Sequence, residues 1–196
     1  YFLDKHNCIG MPTETVYGLA ANAYSSKAIS KIFKLKKRPK NNPLIVHYSS
    51  IKMLKRDCIL NKNFTNLYNK FCPGPLTFIL KLKKDSKISK FVTNKKKTLA
   101  VRFPSHPKAI GLLKILNYPL AAPSANISSR VSPVTKNHVK EEFGKKIKYI
   151  IEGGLSKIGL ESTIINLTGK PEILRIGSID INLSLIHISE PTRPRL

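Results

Sequence analysis

A chain of 196 residues, 41% apolar and 23% charged, fits one domain with a real hydrophobic core and excludes a disordered or fibrous protein. No apolar run approaches the roughly 18 residues of a membrane span, and no secretory pattern of an apolar stretch before a small-residue cleavage site is present. Thirty-five Lys and Arg against eleven Asp and Glu give a formal charge of +24, which favours polyanions such as nucleotides, nucleic acid or a membrane surface, although lysine spread among Asn and Ile reads first as biased composition.

In chain order, residues 8–11 form a short apolar run closed by Pro12, a strand leading into a loop. The loop opens "PTETVYGLAANA", with two threonines around one glutamate and no lysine. Ser25 or Ser26 caps a helix whose apolar face is Ile29, Ile32 and Phe33, and Pro39 is expected to end it. "PLIVHY" is a buried strand; Phe64, Leu67, Tyr68 and Phe71 have helical spacing and stop at "PGP"; "LTFILKLK" is the next strand. "TLAVRFP" alternates, with Leu99, Val101 and Phe103 on one face and Thr98, Ala100 and Arg102 on the other. Residues 106–116 read as a helix, "PLAAP" as a short strand entering "SAN", and residues 134–143 as a helix. "IKYIIEGG", "STIINL" and "EILRIG" complete the set as three strands. Such mixing predicts an α/β or α+β fold with a twisted open sheet. Cys8, Cys58 and Cys72 are odd in number and form no CxxC pair, so neither a disulfide framework nor a zinc site is expected, and a reducing, cytoplasmic setting is.

The common phosphate and metal signatures GxxxxGK[ST], GxGxxG and HExxH are absent. Lys36, Lys37 and Arg38 could clamp phosphate, yet cations are favoured at any helix C-terminus, and on composition alone that explanation wins. Ser124 and Asn126 fit either a phosphate or ribose contact or ordinary turn chemistry. Arg102 is more informative: an arginine on an apolar strand either pairs with something or reaches a cleft, unless the strand is an edge in water. Thr98 on the same face would share that pocket. His47 ends "PLIVH" and alone is more often structural. The stretch Glu161, Ser162 and Thr163 could place a hydroxyl at a strand entrance, or Ser162 and Thr163 are ordinary strand and turn residues.

Together, "PTETVYGLAANA", "KKRPKNNPLIVH", "PGPLTFIL", "LAVRFPSH", "AAPSANISS", "GLESTIINL" and "ILRIG" occur in the order of the YrdC-like threonylcarbamoyl-AMP synthases, and the chain resembles that family from Gly10 to Gly177. The resemblance implies an α/β fold, a twisted open mixed sheet with flanking helices around a positively charged cavity. It implies condensation of L-threonine, bicarbonate and ATP into threonylcarbamoyl-AMP and pyrophosphate, with Mg2+ carried on the nucleotide phosphates. The product then passes to the tRNA threonylcarbamoyl-transfer machinery. By motif position, Thr15, His47, Arg102, Ala122 and Ser162 match threonine-contacting residues. Arg38, Asn42, Thr98, Ser124, Ser132 and Arg175 match ATP-contacting residues, and Lys36, Arg38, Ser124 and Asn126 the catalytic set. The family often has Gly at the position of Ser129 and Pro at that of Ile176. Residues 1–180 are expected to form this catalytic domain with its N-terminal segment incomplete; residues 181–196, ending "SEPTRPRL", look foreign to the fold. The alternative from another class is a non-catalytic module of the same fold that binds double-stranded RNA or tRNA through its basic surface; no membrane association is expected.

Overall fold

In the computed structural model, which describes residues 1–179, the helices start behind side chains that compete for backbone N–H groups. The helices are α1 (Ser26–Lys36), α2 (Ile51–Leu54), α3 (Lys62–Phe71), α4 (Lys90–Thr93), α5 (Pro107–Ile115) and α6 (Lys136–Phe143). Ser25, Ser50, Asn61, Ser89, His106 and Thr135, in that order, accept from an N–H of the first turn, which has no partner within the helix. α1 stops two residues before Pro39 needs it to. Lys37 takes the left-handed conformation (φ 49°, ψ 36°), and its N–H returns to the carbonyls of Phe33 and Lys34. The tail assigned to residues 181–196 lies outside the described residues.

Among the described residues nine strands form one mixed sheet: β1 (Ile9–Met11), β2 (Gly18–Asn22), β3 (Ile45–His47), β4 (Cys58–Ile59), β5 (Leu76–Leu82), β6 (Thr98–Arg102), β7 (Leu120–Ala121), β8 (Thr163–Asn166) and β9 (Glu172–Arg175). The order is β1-β2-β7-β3-β6-β5-β8-β9, with β4 beside β5. The pairs β3/β6 and β5/β8 are parallel and the rest antiparallel. Arg102 therefore sits on a central strand between β3 and β5, which removes the edge-strand explanation for it.

Two expectations about strands need correction. "IKYIIEGG" makes only an isolated bridge, Gly10 to Ile150, because the following glycines turn away: Gly153 N–H donates to the Tyr17 hydroxyl, which donates to the Gly154 carbonyl. "GLAAN", passed over as loop, is β2. Its small residues carry little strand propensity, and pairing with β1 and β7 decides the matter.

Strand periodicity then divides the molecule into two sides. Val46, Phe78, Leu80, Leu99, Val101, Ala121 and Ile165 point into the main core, where α1, α3, α4 and α6 add Ile29, Phe64, Val92 and Phe143. On β2, Leu19 and Ala21 join this core, while Ala20 joins a smaller cluster with Met11, Leu120 and the α5 residues Ala109 and Leu113. α5 thus covers the opposite face over one end of the sheet. The three cysteines are unbridged, and burial pushes each thiol up to about 12.

Ser129 has φ 71°, a region that disfavours any residue with a Cβ. Glycine carries no such penalty, so Ser129→Gly is expected to raise stability by roughly 1 kcal/mol. A urea midpoint unchanged or lowered relative to the parent chain would contradict that.

Candidate functional site

The residues that alternate with the main core line a cavity of about 300 Å³ over β3, β6, β5 and β8, beyond the reach of α5. Two rows cross its floor in register. His47 lies beside Arg102, Arg102 beside Thr77 and Thr77 beside Ile164, and one step along, Ile45 lies beside Ala100 and Ala100 beside Ile79. Ala122, whose N–H donates to the Ile45 carbonyl, continues the lining on the β7 side.

The loop of residues 12–17 forms one wall. Thr13 Oγ1 bonds the Val16 carbonyl at 2.6 Å and the Thr15 hydroxyl at 2.9 Å, and its oxygen also accepts from the N–H groups of Thr15 and Val16. The loop is pinned from outside by Ile158 N–H on the Glu14 carbonyl, Gly159 N–H on the Thr15 carbonyl and Ser156 Oγ on the Thr13 carbonyl. Thr13, Thr15, Val16 and Gly18 face the cavity. Glu14 points behind it, where its carboxylate accepts from Arg102 Nη2 at 2.7 Å and from Ser105 N–H at 3.0 Å.

His47 and Arg102 are both buried, and each keeps a nitrogen, Nδ1 and Nε respectively, with no partner in the protein. Unpaired buried polar atoms are rare in folded proteins and call for an explanation. Burial, with the Arg102 charge acting in the same direction, lowers the His47 pKa to about 3, so its imidazole is neutral at physiological pH.

At the end of α1 the left-handed Lys37 separates its neighbours. Lys36 is 1% exposed, and its ammonium donates to the carbonyl oxygens of Ser124 (2.6 Å) and Asn126 (2.5 Å) and to the Asn126 amide oxygen (3.3 Å). Arg38 lines the cavity, with Nε and Nη2 braced on the carbonyls of Asn42 and Pro43. Ser124 lines it too, held by the Gly18–Ser124 bridge, while Asn126 lies behind and closes its own turn through the Ile127 and Arg130 carbonyls.

The far wall joins β8 to β9. Ser162 Oγ meets Thr77 Oγ1 at 2.8 Å; Arg175 donates to the Ser162 carbonyl from Nε and Nη2 and forms an ion pair with Glu161. Gly177 permits this joint: a Cβ there would come within 2.4 Å of the Glu161 carbonyl oxygen and the Thr163 nitrogen. Ser132 stands outside the lining and reaches it through Glu161 at 3.3 Å.

Of the residues singled out in the sequence, the cavity gathers Thr15, Arg38, Asn42, His47, Arg102, Ala122, Ser124, Ser162 and Arg175. Lys36 and Asn126 support it from behind, and Thr98 lies at the far end of β6 opposite Lys81, outside the lining. Sequence reasoning missed Thr77, Lys96 and the role of Glu14; the alternation of "LTFIL" marked Thr77 as facing the Arg102 side, but nothing local marked the other two. Among the described residues no group of three or more His, Cys, Asp or Glu side chains could hold a metal ion. No helix among them is long and apolar enough to cross a membrane.

A family model named Sua5_yciO_yrdC, described as telomere recombination, matches residues 1–177. A threonylcarbamoyl-AMP synthase of Pyrococcus abyssi is 43% identical over 177 residues, covering 88% of this chain and 51% of that protein. One from Schizosaccharomyces pombe is 41% identical over 196 residues, covering 88% and 48%. A solved structure of Pyrococcus abyssi Sua5 complexed with L-threonine superimposes with a TM-score of 0.91 at 39% identity, covering 96% of this chain and 55% of that one. The chain spans about half the length of these relatives.

The His47 shift has a definite sign. The folded value, about 3, lies below the unfolded 6.5, so its contribution to stability is complete above pH 6.5 and declines as pH falls towards 3. Between pH 7 and pH 5 the parent chain is expected to lose roughly 2 kcal/mol more than His47→Asn in urea unfolding. Parallel losses in the two proteins would disprove the assignment.

Proposed function

The chain belongs to the Sua5/YciO/YrdC family, and we propose that it carries the threonylcarbamoyl-AMP synthase activity, joining L-threonine, bicarbonate and ATP with release of pyrophosphate. The observation that carries this reading is the placement of His47 and Arg102 side by side on the cavity floor, each with one buried nitrogen, Nδ1 and Nε, left unpaired. A small ligand bearing a carboxylate at that spot would meet a guanidinium of which Glu14 engages only Nη2. The synthase names of the relatives agree with it, as does the threonine in the superimposable Sua5 structure.

In this reading threonine lies along the His47–Arg102 row. Its carboxylate meets Arg102, and Thr15, the Ala122 backbone and the Ser162 hydroxyl enclose the rest. ATP lies towards Arg38, Asn42, Ser124 and Arg175, whose guanidinium and polar groups bind phosphate and ribose oxygens. Lys36 and Asn126 act one step back, fixing the turn that presents Ser124. Ser132 acts on Arg175 through Glu161, and Thr98 would need the nucleotide to extend past the floor of the cavity.

The chemistry asks the protein for placement more than for a nucleophile. Threonine's amine attacks the carbon of CO2 and gives up a proton, or attacks bicarbonate with loss of water, and either way forms a carbamate. A carbamate oxygen then attacks the α-phosphorus of ATP, and the bond to the bridging oxygen breaks, releasing pyrophosphate. Arg38 and Arg175 are placed to stabilise charge on the phosphates as it shifts. Magnesium bound to the nucleotide would neutralise part of that charge and needs no protein cage, since Glu161, the carboxylate in the lining, is already engaged by Arg175 and Ser132. The product would go to a transferase acting on tRNA, in a cytoplasmic setting that suits three free thiols; contact of the basic surface with tRNA belongs to the same proposal.

The test is pyrophosphate release from ATP and bicarbonate by the purified chain, with and without L-threonine. Release is expected only with threonine, and Arg102→Ala is expected to reduce it about a hundredfold or more. Threonine-independent release, or full activity in Arg102→Ala, would defeat the proposal.

A further inference from the structure

The carboxylate of Glu14 and the guanidinium of Arg102 are 8% and 5% exposed, so both charges are withdrawn from water. A buried ion pair is commonly no more stabilising than apolar side chains of the same volume, so stability alone does not account for it. Arg102 lines the cavity and Glu14 does not, so Glu14 acts on a ligand without touching it. It does so in two ways. One oxygen fixes Nη2 while Ser105 N–H draws off the other, so the guanidinium is held in place with its Nε still unpartnered. The carboxylate also cancels the guanidinium charge at that end of the cavity.

Cancellation has a consequence for what can bind. A lone buried guanidinium attracts any anion, including phosphate and bare carboxylates. Paired with Glu14, it is neutral as a unit, and a simple anion placed against it leaves one net negative charge away from water. An amino-acid zwitterion adds no net charge, and its carboxylate can still take guanidinium N–H groups that Glu14 does not engage.

We propose that Glu14 is a specificity-determining residue: by holding and neutralising Arg102 it makes the cavity accept a net-neutral α-amino acid and turn away simple anions. The inference rests on the reading that the threonine carboxylate meets Arg102.

The experiment compares calorimetric binding of L-threonine and of 3-hydroxybutanoate, which is threonine without its amine, to the parent chain, Glu14→Gln and Glu14→Asp. The parent chain should bind threonine and discriminate against the hydroxy acid. Glu14→Gln should narrow that preference by roughly tenfold or more, through tighter binding of the anion. Glu14→Asp, which keeps the charge on a shorter arm, should weaken both ligands and retain the preference. If the glutamine variant weakens both ligands equally, Glu14 is merely structural and the proposal fails. Should that variant not fold, the aspartate variant decides, and a preference collapsed towards unity overturns the proposal. A parent chain that binds neither ligand would remove the threonine reading and this one with it. Threonine binding with an unmoved preference in Glu14→Gln would remove this one alone.

Discussion

The Lys36 ammonium joins two parts of the chain that are otherwise far apart in sequence. It is the last residue of α1, and its three acceptors all belong to Ser124 and Asn126. Ser128 N–H returns to the Lys36 carbonyl, so side chain and backbone close the same joint. Burial, then the neighbouring Arg38, lower its pKa to about 8, while Glu161 and Glu142 oppose them. Two short contacts to carbonyl oxygens and a longer one to the Asn126 amide favour the charged form, which remains the main one at neutral pH. A lysine suits this place because a point charge with three rotatable donors can meet three oxygens at once. Arg38 on one side of the joint and Ser124 on the other both face the cavity, so the wall where phosphates would bind is only as well placed as this contact.

The sheet supplies the second constraint. With a period of two, each central strand must send alternate residues to opposite faces, and a fully apolar strand would demand cover on both. Here β3 and β6 are apolar on the side of α1, α3 and α6, and carry His47, Ala100 and Arg102 on the other. α5 covers that second face only beside β1, β2 and β7. The uncovered part becomes the cavity, and small residues such as Ala100 and Ala122 give it depth. Core and candidate site are thus the two parities of one set of strands.

Local patterns in the sequence predicted what depends on local physics. The hydroxyl of Ser25 marked the start of α1, the spacing of Phe64, Leu67 and Phe71 marked α3, and the alternation in "TLAVR" put Arg102 opposite the core. The family resemblance added residue roles, and most of those residues do converge on one cavity. What stayed hidden depends on contacts distant in sequence. Glu14 meets Arg102 across 88 residues, and Lys36 meets Asn126 across 90. β2 was illegible because alanines fit any element, and "IKYIIEGG" misled because its extended run meets the edge of β1 at a single bridge.

Those long contacts also change how the charge of the protein should be understood. A formal charge of +24 suggests an indiscriminate attraction for anions. Yet two of only eleven acidic residues stand directly against cavity arginines, Glu14 on Arg102 and Glu161 on Arg175. Three arginines share this one small site, and two of them have a carboxylate partner. Inside the cavity Arg102 and Arg175 are therefore each aimed and partly neutralised by a carboxylate, and Arg38 is braced on carbonyl oxygens instead, while the lysines of the surface face water. Lysine on the surface can drift with composition because solvent screens it. In the low-dielectric cavity an unmatched charge would dominate every ligand's energy, and there the balance of sign is set residue by residue.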